Sequence, residues 1–464
     1  MSGKAENNNS PLYAVSPLDG RYSEKVAPLK EYFSEFALIK ARVQVELLHL
    51  LALDRQKVFP ELLTQEKENI TLLMMSFSEE NALEVKEIEK TTQHDVKAVE
   101  YFLRKRLNMR FPNMIHFGLT SEDINNLAWT SLIKSFSENM LLPRAAELLK
   151  ALCIIAERHS ETPFPTRTHG QAASPSTAGK ELAVYISRIL RIYNSLKCFR
   201  FRGKLNGAVG NHSALVAAFP MIDWDSYARK LVNEMGFEFN QAVTQIEDHD
   251  SWAEFFDLVR HFNNIVIDLN QDIWNYLMLG FFSEKTVGNE VGSSTMPHKV
   301  NPIRFENSEG NLLVSNAMLT MFSDKLCRSR MQRDLSDSTV TRNIGVALAH
   351  SWLATGETLS GFNRIDVNIQ ACQSDLLARP ELLSEPIQTI LRTVENAGDP
   401  YDMLKTLTRG KKVTSSDIKQ FIESLNVKDK IKESLCALEV TKYTGIASQI
   451  CRKVIAEAKE ALKL

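Results

Sequence analysis

Between Phe237 and Leu279 the chain contains neither glycine nor proline, and the stretch from Met221 to Met235 is equally unbroken. Runs of this length without a breaker constrain the fold more than any other feature, because turns need residues that reverse the backbone. Within Ser251–Leu279 the apolar residues Phe255, Leu258, Phe262, Ile265, Val266, Leu269, Ile273, Tyr276 and Leu277 recur at three- and four-residue steps, the period of a helix with one buried face. The pattern predicts an all-α protein. Similar helical patterns cover 144–159, 175–202, 305–326 and 344–363. Helices of roughly 20–30 residues exceed the globular average and imply a bundle whose members span the molecule. Ser251 with Glu254 has capping-box spacing, and Ser174 before Pro175 marks a second helix start. Alternation bounded by hairpin signals is almost absent, and there are no repeats or low-complexity tracts.

Along the chain, three segments are expected. Residues 1–111 form an N-terminal mixed helical domain, 112–364 a central long-helix bundle, and 365–464 a C-terminal domain of shorter helices. The chain has 464 residues and a formal charge of −2, from 55 Lys+Arg against 57 Asp+Glu. It carries no global basic excess for nucleic acid, so any anion site must be a local cluster of cations. No apolar run reaches the ~20 residues of a membrane span, and the opening MSGKAENNNS lacks a signal-peptide core. The six cysteines are scattered, with no CxxC and no Cys/His metal spacing. These features predict a cytoplasmic protein with reduced thiols, no metal, and no Gly-rich dinucleotide loop, hence no cofactor.

Four strings carry chemistry. Residues 292–302 read GSSTMPHKVNP, a mobile Gly-opened loop with adjacent hydroxyls at Ser293 and Ser294, then Lys299 and Asn301 between prolines. Such a loop can close over an anion and deliver a hydroxyl to it. In TRTHGQ, His169 is flanked by hydrogen-bonding side chains, unlike a core histidine, and Gly170 permits a tight turn. In TTQHDVK, His94 abuts Asp95, and HFGLTSED places Thr120 and Ser121 after a glycine. Both of the last two read as helix N-caps, and helix N-termini are also where anions bind. Arg21 with Tyr22, and Arg333 and Arg342 bracketing acids and hydroxyls that include Ser338, complete the candidate anion contacts.

The GSSxMPxKxNP loop resembles that of the fumarase/aspartase lyase superfamily. SPLDGRY, TTQHDVKAVEYF, HFGLTSEDINN, RTHGQ, TQIEDHD and QRDLSDSTVTRN narrow the resemblance to the adenylosuccinate lyase family of the bacterial long type, from about residue 12 onward. The resemblance implies a three-domain helical subunit in a homotetramer, with active sites shared between subunits. It implies β-elimination of fumarate from adenylosuccinate, giving AMP, and from SAICAR, giving AICAR. By the same resemblance Ser293 is the general base, with Ser294 its rival, and His169 is the acid that protonates the departing N6. Lys299 and Asn301 hold the aci-carboxylate. His94, with Gln93 and Asp95 beside it, contacts phosphate or assists His169. Arg21, Tyr22, Ser338 and Arg342 contact phosphate; Thr120, Ser121, Gln245 and Arg333 contact the succinyl carboxylates. Glu306 positions the loop or His169. The chain departs from the family pattern at Gln93 and Ala172, where Asn and Pro are expected. Two alternatives stay open: another fumarate-releasing lyase of argininosuccinate type, and a crystallin-like relative that keeps the bundle without the chemistry. Activity on argininosuccinate or malate separates the first, and the joint presence of Ser293, Lys299 and His169 argues against the second.

Overall fold

The computed structural model describes residues 10–285, 296, 300–395, 398–410 and 412–463. It is mostly helical, and the strands among the described residues are two or three residues long. The principal helices are α1 (Glu35–Gln56), α2 (Glu79–Thr92), α3 (Asp95–Leu107), α4 (Ser121–Phe136), α5 (Leu142–Arg158), α6 (Ala178–Lys197), α7 (Asp250–Met278), α8 (Ile303–Leu326), α9 (Ile344–Phe362), α10 (Ile369–Leu377) and α11 (Ala447–Leu462). The periodic stretch Ser251–Leu279 thus becomes one helix, α7, as its periodicity predicts, while the start of the breaker-free run forms the short strand Glu238–Phe239 and a loop.

Two compact units are built from interleaved pieces of chain. The first holds 1–144, 195–264 and 310–354; the second holds 145–194, 265–309 and 355–464. In the first, α1 and α4 bury Val43, Leu47, Leu53, Ile124, Leu127 and Ile133 completely, and Phe33 meets Phe136 at 5.1 Å between ring centroids. Each such side chain contributes about 1.5–3 kcal/mol through removal from water. In the second, Leu148, Leu149 and Leu152 of α5, Ile186 and Ile189 of α6 and Ile273 of α7 are fully buried. A further cluster of Leu376, Ile387, Leu391, Ile418 and Ile422 packs the shorter C-terminal helices.

Polar layers interrupt the apolar face of α7. In the first unit buried Asn263 donates to Ser315 (3.2 Å) and Asn316 (3.0 Å) and accepts from Ser351 (2.6 Å). In the second unit buried Asn270 donates to Ser308 (2.9 Å) and accepts from Thr358 (2.9 Å). Every polar group named here has a partner, as burial requires.

Two local expectations are corrected. Ser251 does not cap α7, which starts one residue earlier; its hydroxyl accepts the Arg202 N–H at 3.2 Å instead. Pro175 is not the first helical residue of α6. The chain stays extended through Ser176–Thr177, paired with Pro163–Phe164, and the Thr177 hydroxyl accepts the Lys180 N–H at 3.2 Å. A local capping signal lost to tertiary pairing in both cases. Off the apolar stripe of α7, Phe256 is also buried, against Phe322 at 5.6 Å between ring centroids.

Candidate active site

The first unit contains a cavity of about 420 Å³. Two helix N-termini border it, and each owes its position to a cap written in the sequence. His94 is extended and its Nδ1 accepts the Lys97 N–H at 3.3 Å, so the imidazole itself caps α3. With Nδ1 so engaged, the neutral ring carries its proton on Nε2. Thr120 caps α4, and the Asp123 carboxylate accepts the Thr120 N–H at 2.8 Å. First-turn N–H groups and the helix dipoles make both ends receptive to anions.

The other walls come from α1 (Leu38, Arg42), the end of α2 (Gln93), the approach to α7 (Gln245, His249) and its first turn (Trp252), and the segment Arg333–Arg342. Gln93 sits in the left-handed region at φ 51°, where its Nε2 donates to the Lys90 carbonyl at 2.8 Å. Asparagine tolerates that conformation better than glutamine. Gln245 is tied by its Nε2 to the Ala208 carbonyl at 3.1 Å.

Cations in the cavity are already engaged. Arg42 is buried, 2.7 Å from Asp95 and 2.9 Å from the Asn125 side-chain oxygen. Arg333 lies 2.7 Å from Glu122. Arg342 is half-exposed, and its ion pairs to Glu35 (3.7 Å) and Asp95 (3.8 Å) are the loosest of the three. Of the three, Arg342 is the cation held least tightly, since long, exposed pairs hold little energy. Burial pushes the Asp95 carboxyl up, but Arg42, the Val96 N–H and His94 outweigh it and hold it below the ordinary carboxylate range. Asp337 goes the other way, raised by burial and by Glu122.

Of the residues singled out in the sequence, nine line this cavity: Gln93, His94, Asp95, Thr120, Ser121, Gln245, Arg333, Ser338 and Arg342. Arg21 and Tyr22 do not; Tyr22 begins the short helix Ser23–Val26 and Arg21 is exposed. Ser293, Ser294 and Lys299 lie outside the described residues. The remaining three belong to the second unit. His169 and Gly170 form the tip of a hairpin joining β1 (Arg167–Thr168) to β2 (Gln171–Ala172), with Thr168 opposite Gln171. Their φ values of 53° and 75° are both positive, as a two-residue hairpin turn of this hand requires. Arg167 anchors the hairpin, with both Asp375 oxygens within 2.9 Å and its guanidinium over the Phe281 ring. Glu306 accepts the Trp274 indole N–H at 3.1 Å, and Asn301 uses its carbonyl to accept the Ile303 N–H at 2.8 Å.

Sequence reasoning missed Arg42, Asn125, Trp129, His249 and Trp252. Arg42 was discoverable, since it interrupts the apolar face of α1 one turn after Leu38.

Next to the Thr120 wall, against the Phe117 carbonyl, lies a histidine. His49 is fully buried, with Nε2 donating to the Phe117 carbonyl (3.0 Å) and Nδ1 accepting from Tyr227 (2.8 Å). Burial pulls it down to about 3, against a partial opposing effect of the Phe117 carbonyl. Because the unfolded chain takes up this proton below pH 6.5 and the folded chain does not, stability falls as pH drops from 6.5 toward 3. The slope is up to ~1.4 kcal/mol per pH unit from this residue. In His49→Gln, urea unfolding between pH 4 and 7 is expected to show a correspondingly shallower dependence.

Gly210 explains how Gln245 is reached. Its φ is 76°, and an added Cβ would lie 2.2 Å from the Val243 carbonyl oxygen, so the 207–210 loop touches the backbone just before Gln245. Gly210→Ala is expected to cost about 2 kcal/mol or more by urea unfolding, from left-handed strain plus the clash.

Known proteins agree with this fold. Residues 20–318 match the Lyase family model and residues 329–444 the Adenylosuccinate lyase C-terminal model. The chain is similar in fold to a fumarate lyase from Mesorhizobium sp. BNC1 (TM-score 0.76, 18% identity, 93% of this chain and 97% of that one). It is similar in fold as well to a 3-carboxy-cis,cis-muconate lactonizing enzyme from Pseudomonas putida (TM-score 0.73, 16% identity, 98% and 100%). This is the fold of the fumarase/aspartase lyase superfamily, and the protein is a lyase. In sequence it is 45% identical to the adenylosuccinate lyase of Escherichia coli K12 (94% of this chain, 98% of that protein) and 44% identical to that of Haemophilus influenzae (96% and 99%). The chain belongs to the adenylosuccinate lyase family.

Proposed function

We propose that this lyase splits adenylosuccinate into AMP and fumarate, and SAICAR into AICAR and fumarate, within purine nucleotide synthesis in the cytosol. The observation that carries the reading is convergence: nine residues drawn from four separate strings border one cavity at two helix N-termini. Phosphate and carboxylates are the ligands such a site favours. His94, Ser338 and Arg342 serve the phosphate, together with Arg21 and Tyr22; Thr120, Ser121, Gln245 and Arg333 serve the succinyl arm. Ser293 removes the β-proton, with Lys299 and Asn301 stabilising the resulting aci-carboxylate, and His169 protonates N6 as the C–N bond breaks. The subunit forms a homotetramer with shared sites. In keeping with this, Val314 and Met321 on one face of α8 are 47% and 40% exposed, apolar side chains that a partner can cover. The all-α subunit is taken to have three domains.

An ultraviolet assay on adenylosuccinate, with fumarate measured separately, tests the substrate. Turnover of argininosuccinate or malate, with none of adenylosuccinate, overturns it.

A further inference from the structure

A completely buried ion pair stands behind the cavity. Asp123 and Lys204 both have no exposed side-chain surface, and Lys204 Nζ lies 3.0 Å from Asp123 Oδ1. The carboxylate does more than balance the lysine. Its Oδ2 accepts the Thr120 N–H at 2.8 Å, its Oδ1 accepts the Asn206 N–H at 3.0 Å, and the Gly207 N–H lies within 3.3 Å of both oxygens. Lys204 Nζ donates a second bond to the Gly207 carbonyl at 2.9 Å. The Asn126 side chain bridges α4 to the Lys204 backbone in both directions. One residue beyond Gly207, the Ala208 carbonyl holds Gln245.

We propose that Asp123 is a positioning residue: its single carboxylate sets the Thr120–Ser121 wall and the Gln245 wall of the cavity at a fixed separation. This rests on the substrate reading above. Two polar groups that must grip the same dicarboxylate arm are otherwise carried by segments far apart in sequence. Asp123 reaches both, directly at Thr120 and through Gly207–Ala208 at Gln245. Lys204 has a different part. It neutralises the buried carboxylate and braces the loop, but makes no bond to Thr120. Removing either charge alone leaves the other buried without a counter-ion, so both single variants lose stability. Only loss of the carboxylate releases the two walls.

The test separates position from stability with three variants: Asp123→Asn, Lys204→Met and the double variant. Tm should fall in both single variants and recover in the double. KM for adenylosuccinate should rise ~10-fold or more in Asp123→Asn, with kcat changing less, because the walls hold ground state and transition state alike. KM should stay raised in the double variant, and Lys204→Met should remain within ~3-fold of wild type. The double variant keeps the test open if Asp123→Asn does not fold. Recovery of KM along with Tm in the double variant overturns the proposal, as does an Asp123→Asn KM within twofold of wild type. A wild-type protein inert on adenylosuccinate refutes the substrate reading instead. Calorimetric titration with fumarate then reads the same walls, and wild-type affinity in the double variant overturns the proposal.

Discussion

His169→Gln is expected to fold and assemble as wild type, bind substrate, and lose ~10³-fold or more in turnover, within the range for removing a general acid. The hairpin explains why the fold survives. Arg167, through Asp375 and Phe281, fixes the strands, and the imidazole at the tip is exposed. Glutamine keeps hydrogen-bonding capacity and carries no transferable proton. Turnover and substrate-binding measurements, with light scattering for assembly, check this. If the Gln variant retains substantial activity, His169 only orients its segment.

Ser293→Ala should be equally severe, ~10³-fold or more in kcat with substrate still bound, since a proton-transfer group acts mainly in the transition state. A live Ser293→Ala beside a dead Ser294→Ala moves the assignment by one residue. Mixing the inactive His169 and Ser293 variants gives the sharper result. Where sites draw on several chains, hybrid assemblies regain some activity because a fraction of sites receives both intact groups. No recovery, with exchange confirmed by mass, counts against shared sites.

Much of this was legible in the chain. Breaker-free runs with helical period became helices, and Thr120–Asp123 and His94 became caps where polar residues precede a helical pattern. Local chemistry decided those features. It failed at Ser251 and Pro175 because the hydroxyl and the backbone there found partners distant in sequence, at Arg202 and Pro163–Phe164. The site was legible as strings but not as a place. Nothing local says that Gln93 and Arg342 border one cavity, and the α1 contribution, Arg42, is masked by the apolar pattern around it. The compact units are equally invisible in one dimension, each being assembled from three separated stretches.

The two asparagine layers of α7 bear on how these helices can be lengthened. Asn263 and Asn270, Ser308 and Ser315, and Ser351 and Thr358 are each one heptad apart on their own helices. Inserting one or two residues between such a pair rotates one amide by about 100–200°, off its face, and strands its hydroxyl partners in an apolar interior, at about 1–3 kcal/mol for each buried group left unmet. A lone insertion of seven keeps the face but misses the partner level. Matched insertions of seven in all three helices restore every bond. Length here is therefore a property shared by α7, α8 and α9, and drift by single residues is confined to the loops between them.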